Sequence, residues 1–268
     1  MEDELVELAS RVAEDAGDLL LSYASRTLEF DTKSSATDPV SEADHASEET
    51  ITGGLLEARP DDGVLGEENA SNRAGTSGLR WVIDPLDGTV NFLYGIPAWC
   101  VSIACEDEHG MVVGVVRDPH RRETFAARRG GGALCNGRPL QVRSSAAELS
   151  MALVATGFGY GPAVRERQGR WVADLLPRVR DVRRVGAAAL DLAWLAAGRF
   201  DAFYEFGLQP WDRAAGQLLV QEAGGVVSLH QLTVGSEEGT CIFAGHRPIH
   251  DALSTWLLDE IGVQRAST

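Results

Sequence analysis

A short apolar run that ends in two closely spaced aspartates constrains this chain more than any other feature. Residues 81–83 (Trp-Val-Ile) are typical of a buried strand, and residues 84–89 (Asp-Pro-Leu-Asp-Gly-Thr) follow directly. Because proline removes a ladder donor and disfavours helix at the residue before it, we expect the chain to leave the sheet at once in a tight turn. That turn would lie at the carboxyl edge of a strand, where α/β proteins build their sites.

The composition of this turn predicts a site for magnesium and phosphate. Gly88 allows a ligand to approach the backbone closely, and the N–H groups around Gly88 and Thr89 can hold an anion. The carboxylate oxygens of Asp84 and Asp87 are hard ligands of the kind that Mg²⁺ prefers. Asp-Pro and Asp-Gly are also common in ordinary turns, so a purely structural turn is the alternative.

Length and composition indicate an ordinary globular protein. A chain of 268 residues with 44% hydrophobic residues can bury a large core, as one domain or as two subdomains. No apolar run approaches the roughly 20 residues of a membrane span. The acidic start, residues 1–4, lacks the positive charge of a signal peptide. We therefore expect a cytoplasmic protein with no membrane partner. The four cysteines are scattered, which argues against a structural zinc site or a disulfide framework.

The charge of the chain excludes some classes of partner. A formal net charge of −16 speaks against nonspecific binding to nucleic acid or to an anionic membrane. Part of this acidity is expected to serve as site carboxylates that bind cations. Lys33 is the single lysine among 24 basic residues, which sets it apart from the arginines.

Apolar spacing divides the chain into two differently patterned halves. In the first half, two helices, the second opened by a capping-box pattern at Ser41, precede a mostly antiparallel sheet. The second half alternates strands and helices, which is typical of an α/β unit. We predict an α+β / α/β protein in which residues 1–145 carry the metal-binding motifs, residues 146–268 complete the site, and a cleft lies between them. The predicted helices are residues 5–23, 41–57, 163–176, 187–197, 211–223 and 249–258, and the predicted strands are residues 64–65, 99–105, 111–117, 123–127, 152–155, 182–185, 202–204, 226–228 and 242–244.

Several further acids lie at the ends of predicted elements. Each has a structural explanation when taken alone: Asp212 can cap a helix, Asp44 can complete the capping box, and Glu67 and Glu68 can form a solvated turn. Together they indicate something different. Carboxylates that converge on one cleft repel each other unless cations neutralise them, and this is the arrangement that a multi-metal phosphate-transfer site requires.

Other phosphate chemistries fit the sequence poorly. Lys33 and Ser34 lack the preceding glycines of a P-loop. A covalent aspartyl phosphatase would place its two aspartates two residues apart, whereas Asp84 and Asp87 are three apart. The glycines of residues 157–161 do not have the spacing of the dinucleotide-binding fingerprint.

The ordered set of motifs resembles the inositol monophosphatase family. The matching segments run in order over nearly the whole chain, and as a set they are highly specific. Residues 33–35 and 38–44 resemble the N-terminal signature of the family, with Ser41 where threonine is common. The other matching segments are residues 66–68 (Gly-Glu-Glu), 84–89, 184–189, 204–205, 211–212 (Trp-Asp), 214–216 and 222–225.

The resemblance implies a fold, a chemistry and a set of metal ligands. It implies a layered α-β-α-β-α sandwich of the sugar phosphatase type, commonly a homodimer, that hydrolyses a phosphate monoester with Mg²⁺ and is sensitive to Li⁺. Two to three ions would be bound at each site. The first would lie on Glu67, Asp84 and the Leu86 carbonyl, the second on Asp84, Asp87 and Asp212, and a third, weaker one on Glu67 and water.

The resemblance also implies roles for the remaining site residues. Thr89 and Asp44 would orient and deprotonate the attacking water, with Glu67 and Lys33 completing the catalytic set. Ala187 stands where a hydroxyl residue is often seen, which weakens the expected contact with a polyol there. The implied substrate-binding residues are Asp87, Gly88, Thr89, Gly186, Ala187, Ala188, Glu205 and Asp212.

The substrate remains open at the level of the sequence. We expect a small phosphorylated polyol or a similar monoester as partner, with inositol 1-phosphate as the first choice and no nucleic acid. Histidinol phosphate and fructose 1,6-bisphosphate are the alternatives for the same site. A different class of function, a regulatory protein-binding role on this fold, is opposed by the presence of every metal ligand.

Overall fold

The computed structural model describes residues 2–27, 38–68, 72–234 and 237–261. Two long helices begin the chain, α1 (Glu2–Thr27) and α2 (Asp38–Ala58). The α1 helix carries three acids in its first turn, where they interact favourably with the helix dipole. Its buried face repeats at helical spacing and consists of Leu5, Leu8, Val12, Ala16 and Leu20.

The start of α2 differs from the prediction. The capping box at Ser41 predicted a helix beginning there, but the helix begins at Asp38, so Ser41 lies inside it. The physical reason is Pro39, which is well tolerated in the first turn of a helix because its missing N–H has no partner there.

The first half of the chain forms a seven-stranded sheet in sequential order, as predicted for a mostly antiparallel sheet. Strands β1 and β2 are parallel, and every later pairing in this sheet is antiparallel. Its strands are β1 (Gly63–Gly66), β2 (Arg80–Asp87), β3 (Cys100–Asp107), β4 (Gly110–Asp118), β5 (Glu123–Arg128), β6 (Gly132–Cys135) and β7 (Arg138–Pro139). A short helix, α3 (Thr89–Leu93), follows β2.

The strand β2 does not leave the sheet at Asp84, which corrects the prediction of an immediate turn. Asp84 pairs with Ser102 and Asp87 pairs with Cys100, with a shift of register between the two pairs. Pro85 lies inside this bulge, where a missing N–H does not cost a ladder hydrogen bond, so pairing resumes at Asp87. Both aspartates therefore belong to the bulged end of a strand.

The second half forms a five-stranded mixed sheet in the order β11-β12-β10-β8-β9. Its strands are β8 (Leu153–Thr156), β9 (Asp181–Arg183), β10 (Ala202–Phe206), β11 (Val226–Val234) and β12 (Glu237–Gly245). The helices are α4 (Pro162–Leu175), α5 (Ala188–Ala196), α6 (Pro210–Glu222) and α7 (Arg247–Ile261). Each of these helices was predicted to within three residues, whereas β11 ends six residues after its predicted end and β12 begins five residues before its predicted start. In the described part of the chain, none of the helices combines the length and the apolar character needed to cross a membrane.

Three apolar clusters show how the layers stack. Neighbouring residues of β2 face opposite ways: Ile83 packs with α1 and α2, whereas Val82 packs with α5 and α6. The cluster of α5 and α6 also contains Phe203 of the second sheet, and the far side of that sheet packs on α4 and α7. The layers therefore run α-β-α-β-α, as the resemblance implied. Helix α6 lies so close to β4 that a Cβ on Gly114 would be 2.8 Å from the Ala215 carbonyl oxygen.

Candidate active site

A cavity of about 440 Å³ opens at the bulged end of β2. It brings together every predicted site residue except Lys33 and Asp44. Lys33 lies outside the described residues, and Asp44 is buried beside Glu67, one of the lining acids. The predicted residues that line the cavity are Glu67, Asp84, Leu86, Asp87, Gly88, Thr89, Gly186, Ala187, Ala188, Glu205 and Asp212.

The bulge is held in shape by local hydrogen bonds. The Leu86 N–H donates to Asp84 Oδ1 at 3.1 Å, and Thr89 Oγ1 donates to the Leu86 carbonyl at 3.1 Å. Ser47 Oγ of α2 donates to the Pro85 carbonyl at 2.8 Å, which ties the bulge to the outer helical layer. Gly88 has φ 93°, in the left-handed region that favours glycine, and a Cβ there would lie 3.0 Å from the Ala98 carbonyl oxygen.

Asp87 joins the bulge to the first turn of α5. Its Oδ1 accepts from the Ala188 N–H at 3.1 Å, and its Oδ2 accepts from the Ala189 N–H at 2.8 Å. These N–H groups have no partner within the helix, and the positive end of the helix dipole favours a carboxylate there. The N–H of Ala188, an implied substrate-binding residue, is therefore engaged by Asp87, a predicted metal ligand.

Asp212 has a structural and a site-facing role at once. It lies in the first turn of α6, where its Oδ2 accepts from the Gln209 N–H at 2.7 Å. This is the helix-end role that the sequence left as an alternative. The same residue lines the cavity. Helices α5 and α6 thus both begin at the site.

The acids at the site have raised pKa values because burial removes their hydration and because they face one another. Burial raises the pKa of Asp44 to about 8, with Glu67 adding to the effect, and the pKa of Glu67 itself to about 7. Burial and the charge of Asp212 raise the pKa of Asp87 to about 7, and burial raises that of Asp212 to about 6. The fully buried Asp84 has a pKa well above its usual range for the same reasons.

The donor chemistry of these acids fits a divalent cation, although their side chains are not arranged as a preformed metal site. As they stand, no three His, Cys, Asp or Glu side chains of the described residues have the geometry to hold a metal ion. Instead, Glu67 and Asp84 lie close enough for each to affect the pKa of the other, and burial raises both values. Asp44 Oδ1 is buried with no hydrogen-bond partner in the described residues. Hard oxygen donors whose buried negative charges repel each other are suited to bind a hard cation, which would neutralise those charges.

Glu205 and Arg184 form the opposite wall of the cavity. Burial raises the pKa of Glu205 to about 8, the charge of Asp87 adds to this, and Arg184 opposes it. The Arg184 guanidinium lies 6.0 Å from the ring centroid of Phe158, which also lines the cavity. The Glu205 carboxyl lies directly over Gly157, where any side chain would collide with it.

Sequence reasoning missed Arg184 and Asp191. Arg184 falls in a segment matched to the family, but nothing in its spacing marks it as a cavity residue. Asp191 is buried in α5, and neither of its carboxyl oxygens has a hydrogen-bond partner among the described residues. Burial raises its pKa well above the usual range, and the charges of Glu205 and Asp87 add to this. A lone acid within an otherwise apolar helix is the signal that could have identified it.

Comparisons with known proteins agree with this geometry. The model of the inositol monophosphatase family matches residues 1–257. The inositol-1-monophosphatase SuhB of Mycobacterium tuberculosis is 45% identical over 228 residues, which cover 82% of this chain and 78% of that protein. The Nus factor SuhB of Pseudomonas aeruginosa is 44% identical over 231 residues, which cover 84% of each chain.

A solved structure, that of Mycobacterium tuberculosis SuhB, superimposes with a TM-score of 0.82 at 39% identity, and the match covers 97% of this chain and 98% of that one. The layered fold, the acid-lined cavity and these similarities define an enzyme of the phosphoric monoester hydrolase class. The chain belongs to the inositol monophosphatase family, whose members are generally metal-dependent.

Proposed function

We propose that this enzyme hydrolyses a small phosphate monoester with Mg²⁺, and that inositol 1-phosphate is its preferred substrate. The observation that carries the proposal is one cavity in which four acids, the backbone turn at Gly88 and Thr89, and the wall formed by Glu205 and Arg184 face each other. The four acids suit cations, and the backbone turn suits an anion such as phosphate. The wall of Glu205 and Arg184 suits a leaving group that carries hydroxyls. Relatives named inositol-1-monophosphatase support the choice of substrate.

The proposed metal ligands are those implied by the resemblance to the family. Glu67, Asp84 and the Leu86 carbonyl would hold one Mg²⁺, and Asp84, Asp87 and Asp212 a second, with a third, weaker ion on Glu67. All of these residues line the cavity. The hydrogen bonds from α5 to Asp87 and from Gln209 to Asp212 would orient these two ligands.

When bound, the cations would make a water molecule easier to deprotonate and would neutralise charge on the phosphate and the leaving oxygen. The chain itself would supply the proton path. Thr89 Oγ1 would turn from the Leu86 carbonyl to accept the proton of the attacking water and pass its own to Asp44. A buried carboxyl oxygen without a partner, such as Asp44 Oδ1, is available to receive it. Because water attacks directly, the reaction needs no phosphoenzyme.

The remaining residues would bind and orient the substrate. The backbone N–H groups of Gly88 and Thr89 would hold phosphate oxygens. Glu205 would accept hydrogen bonds from the substrate's hydroxyls, with Gly186 and Ala187 lining the same wall. Ala187 supplies no hydroxyl of its own, so we expect Glu205 to carry most of the discrimination between leaving groups.

Lys33 is proposed to position the catalytic loop or the phosphate. We expect Lys33→Ala to lower the turnover number, because removing a charged partner of a bound anion commonly costs about 1.5–3 kcal/mol. The measurement is steady-state phosphate release with Mg²⁺ in excess. Arg11→Ala in α1, at an exposed position outside the cavity, is the matched control. A rate equal to that of the control would remove Lys33 from the site.

The test of the function is phosphate release from a panel of monoesters, with and without Mg²⁺ and then with added Li⁺. The panel contains inositol 1-phosphate, histidinol phosphate, fructose 1,6-bisphosphate and adenosine 3',5'-bisphosphate. We expect Mg²⁺-dependent turnover that Li⁺ inhibits, with inositol 1-phosphate as the best substrate. Preference for another member would keep the chemistry and replace the substrate. Sedimentation of the same preparation would test the expected homodimer.

A regulatory role is the second candidate, because a relative of 44% identity is named a Nus factor. Such a role would act through a protein partner and would not need turnover. A pull-down with wild type and with Asp87→Asn separates the two functions. Recovery of the same partner by the inactive variant would support the regulatory role, whereas no specific partner together with turnover on the panel would leave only the enzyme.

A further inference from the structure

A polar network links the edge strand β11 to the last helix, α7, away from the acid-lined cavity. Ser228 Oγ lies 2.9 Å from His250 Nε2 and 3.1 Å from His230 Nε2. His250 Nδ1 lies 2.8 Å from Asp251 Oδ1. None of these four residues lines the cavity described above. Two imidazole nitrogens on different elements therefore converge on one hydroxyl.

The hydrogen bonds fix the direction in which His250 faces. The Asp251 carboxylate can only accept, so Nδ1 of His250 carries a proton, and in the neutral imidazole Nε2 is then the nitrogen with a lone pair. Ser228 Oγ then donates to His250 and accepts from His230. A histidine whose Nδ1–H is held by a carboxylate while Nε2 faces a shared point has the arrangement found in metal-binding histidines.

We propose that His230 and His250 form a binding site for Zn²⁺ or a similar borderline transition metal, with Asp251 positioning His250. Imidazole nitrogen suits zinc, copper and nickel, at about 2.0–2.1 Å from zinc. Ser228 Oγ and water would complete the coordination. The site needs His230 to carry its proton on Nδ1, which its half-buried position allows through exchange with solvent.

Burial lowers the pKa of His230, with a contribution from His250, and this agrees with the neutral form that a metal requires. A bound ion would connect the edge strand to the helix that covers it. The ion would therefore stabilise the folded chain in proportion to its occupancy.

A nucleophilic serine is the competing interpretation of the same residues. It fits less well, because the hydrogen bond from His230 into Ser228 Oγ withdraws electron density from the atom that would attack. Asp251 is also exposed, whereas the carboxylate that orients a catalytic histidine is buried.

The experiment titrates Zn²⁺ into the full-length protein by calorimetry, with Mg²⁺ in large excess to occupy the carboxylate sites. The variants are His230→Gln and His250→Gln, and the matched control is His109→Gln, whose side chain is 74% exposed in the turn between β3 and β4. We expect wild type and the control to bind one more Zn²⁺ than either variant. Asp251→Asn should weaken this binding by about tenfold. Mg²⁺-dependent phosphate release by all variants serves as the check that they fold.

Cu²⁺ provides a second readout that a purely structural hydrogen-bond network would not give. The paramagnetic resonance spectrum of one equivalent of Cu²⁺ should show coupling to imidazole nitrogens in wild type and lose it in both variants. Equal Zn²⁺ stoichiometry in wild type and variants would overturn the proposal. Labelling of Ser228 by a fluorophosphonate probe, without extra Zn²⁺ binding, would also overturn it and assign a nucleophile instead.

Discussion

Asp84 and Asp87 reach the cavity from a single bulged strand, whereas Glu205 and Asp212 reach it from the other half of the chain. The first pair is set by its own backbone, since Pro85 and Gly88 shape the bulge and its exit. The second pair depends on how β10 and α6 pack against the first sheet. We propose that the local motif supplies most of the metal ligands, whereas tertiary packing delivers Glu205 to the substrate and Asp212 to the second metal ion.

The largest effect on activity is expected from a substitution in the bulged strand that carries Asp84 and Asp87. Asp84→Asn should lower Mg²⁺-dependent phosphate release by at least about a hundredfold, because even residues behind metal ligands are commonly worth tenfold to a hundredfold. The control is Asp118→Asn, a buried aspartate that pairs with Arg121 and does not line the cavity. Turnover of Asp84→Asn within tenfold of wild type would show that the ligand assignment is wrong.

Replacing a carboxyl by an amide should have a smaller effect at Glu205, which tertiary packing brings to the cavity. At about pH 9, where Glu205 with its raised pKa of about 8 is ionised, Glu205→Gln should reduce kcat/KM for inositol 1-phosphate by about tenfold, the value of one hydrogen bond to a charged group. For p-nitrophenyl phosphate, whose leaving group has no hydroxyls to bind, the ratio should stay within a few fold of wild type. Equal losses on both substrates would show that Glu205 takes part in the chemical step and does not discriminate between leaving groups.

In the metal-free protein, the buried acids of the site should make the folded state less stable as the pH rises. A carboxyl with a raised folded-state pKa stabilises the protein fully below its unfolded value near 4. That contribution is lost as the pH rises through the folded values, which are about 6 for Asp212, about 7 for Glu67 and about 8 for Asp44. The metal-free protein should therefore melt at least about 5 °C lower at pH 8.5 than at pH 5.5.

Mg²⁺ at saturating concentration should flatten this dependence, since a cation replaces the protons as counter-charge. Thermal unfolding with chelator and with Mg²⁺ at both pH values is the measurement. A metal-free protein that is more stable at the higher pH would contradict the raised pKa values.

The smallest effect is expected from Asp191, which shares the electrostatics of the site without lining it. Burial raises the pKa of Asp191 and so favours its neutral form, which Asp191→Asn imitates with a side chain of similar shape. Phosphate release should stay within about threefold of wild type, and stability should change by less than about 1 kcal/mol. A large loss of activity would assign Asp191 a direct role at the site and extend the C-terminal contribution beyond Glu205 and Asp212.

The sequence predicted the order and type of the elements well because their signals are local. Helical spacing identified α1 and α6, and glycines and Asn136-Gly137 marked the turns. The prediction lacked α3, β6 and β7 and made β11 and β12 too short, and it erred at two positions near the site for reasons that are also local. The predicted turn at Asp84 proved to be a bulge, and α2 begins before its capping box, because pairing with β3 and a proline in the first helical turn decided these positions.

By itself, the sequence determined which acids would be candidates for the site, since Asp84, Asp87 and Asp212 stand at element ends that residue spacing alone defines. Only the tertiary structure decided that α5 and α6 would begin at the same point, that the N–H groups of α5 would hold Asp87, and that Arg184 would line the opposite wall. The convergence of His230 and His250 on Ser228 belongs to the same category. The physical reason is that chain-local rules fix backbone conformation, whereas contacts between distant side chains arise from the packing of whole layers.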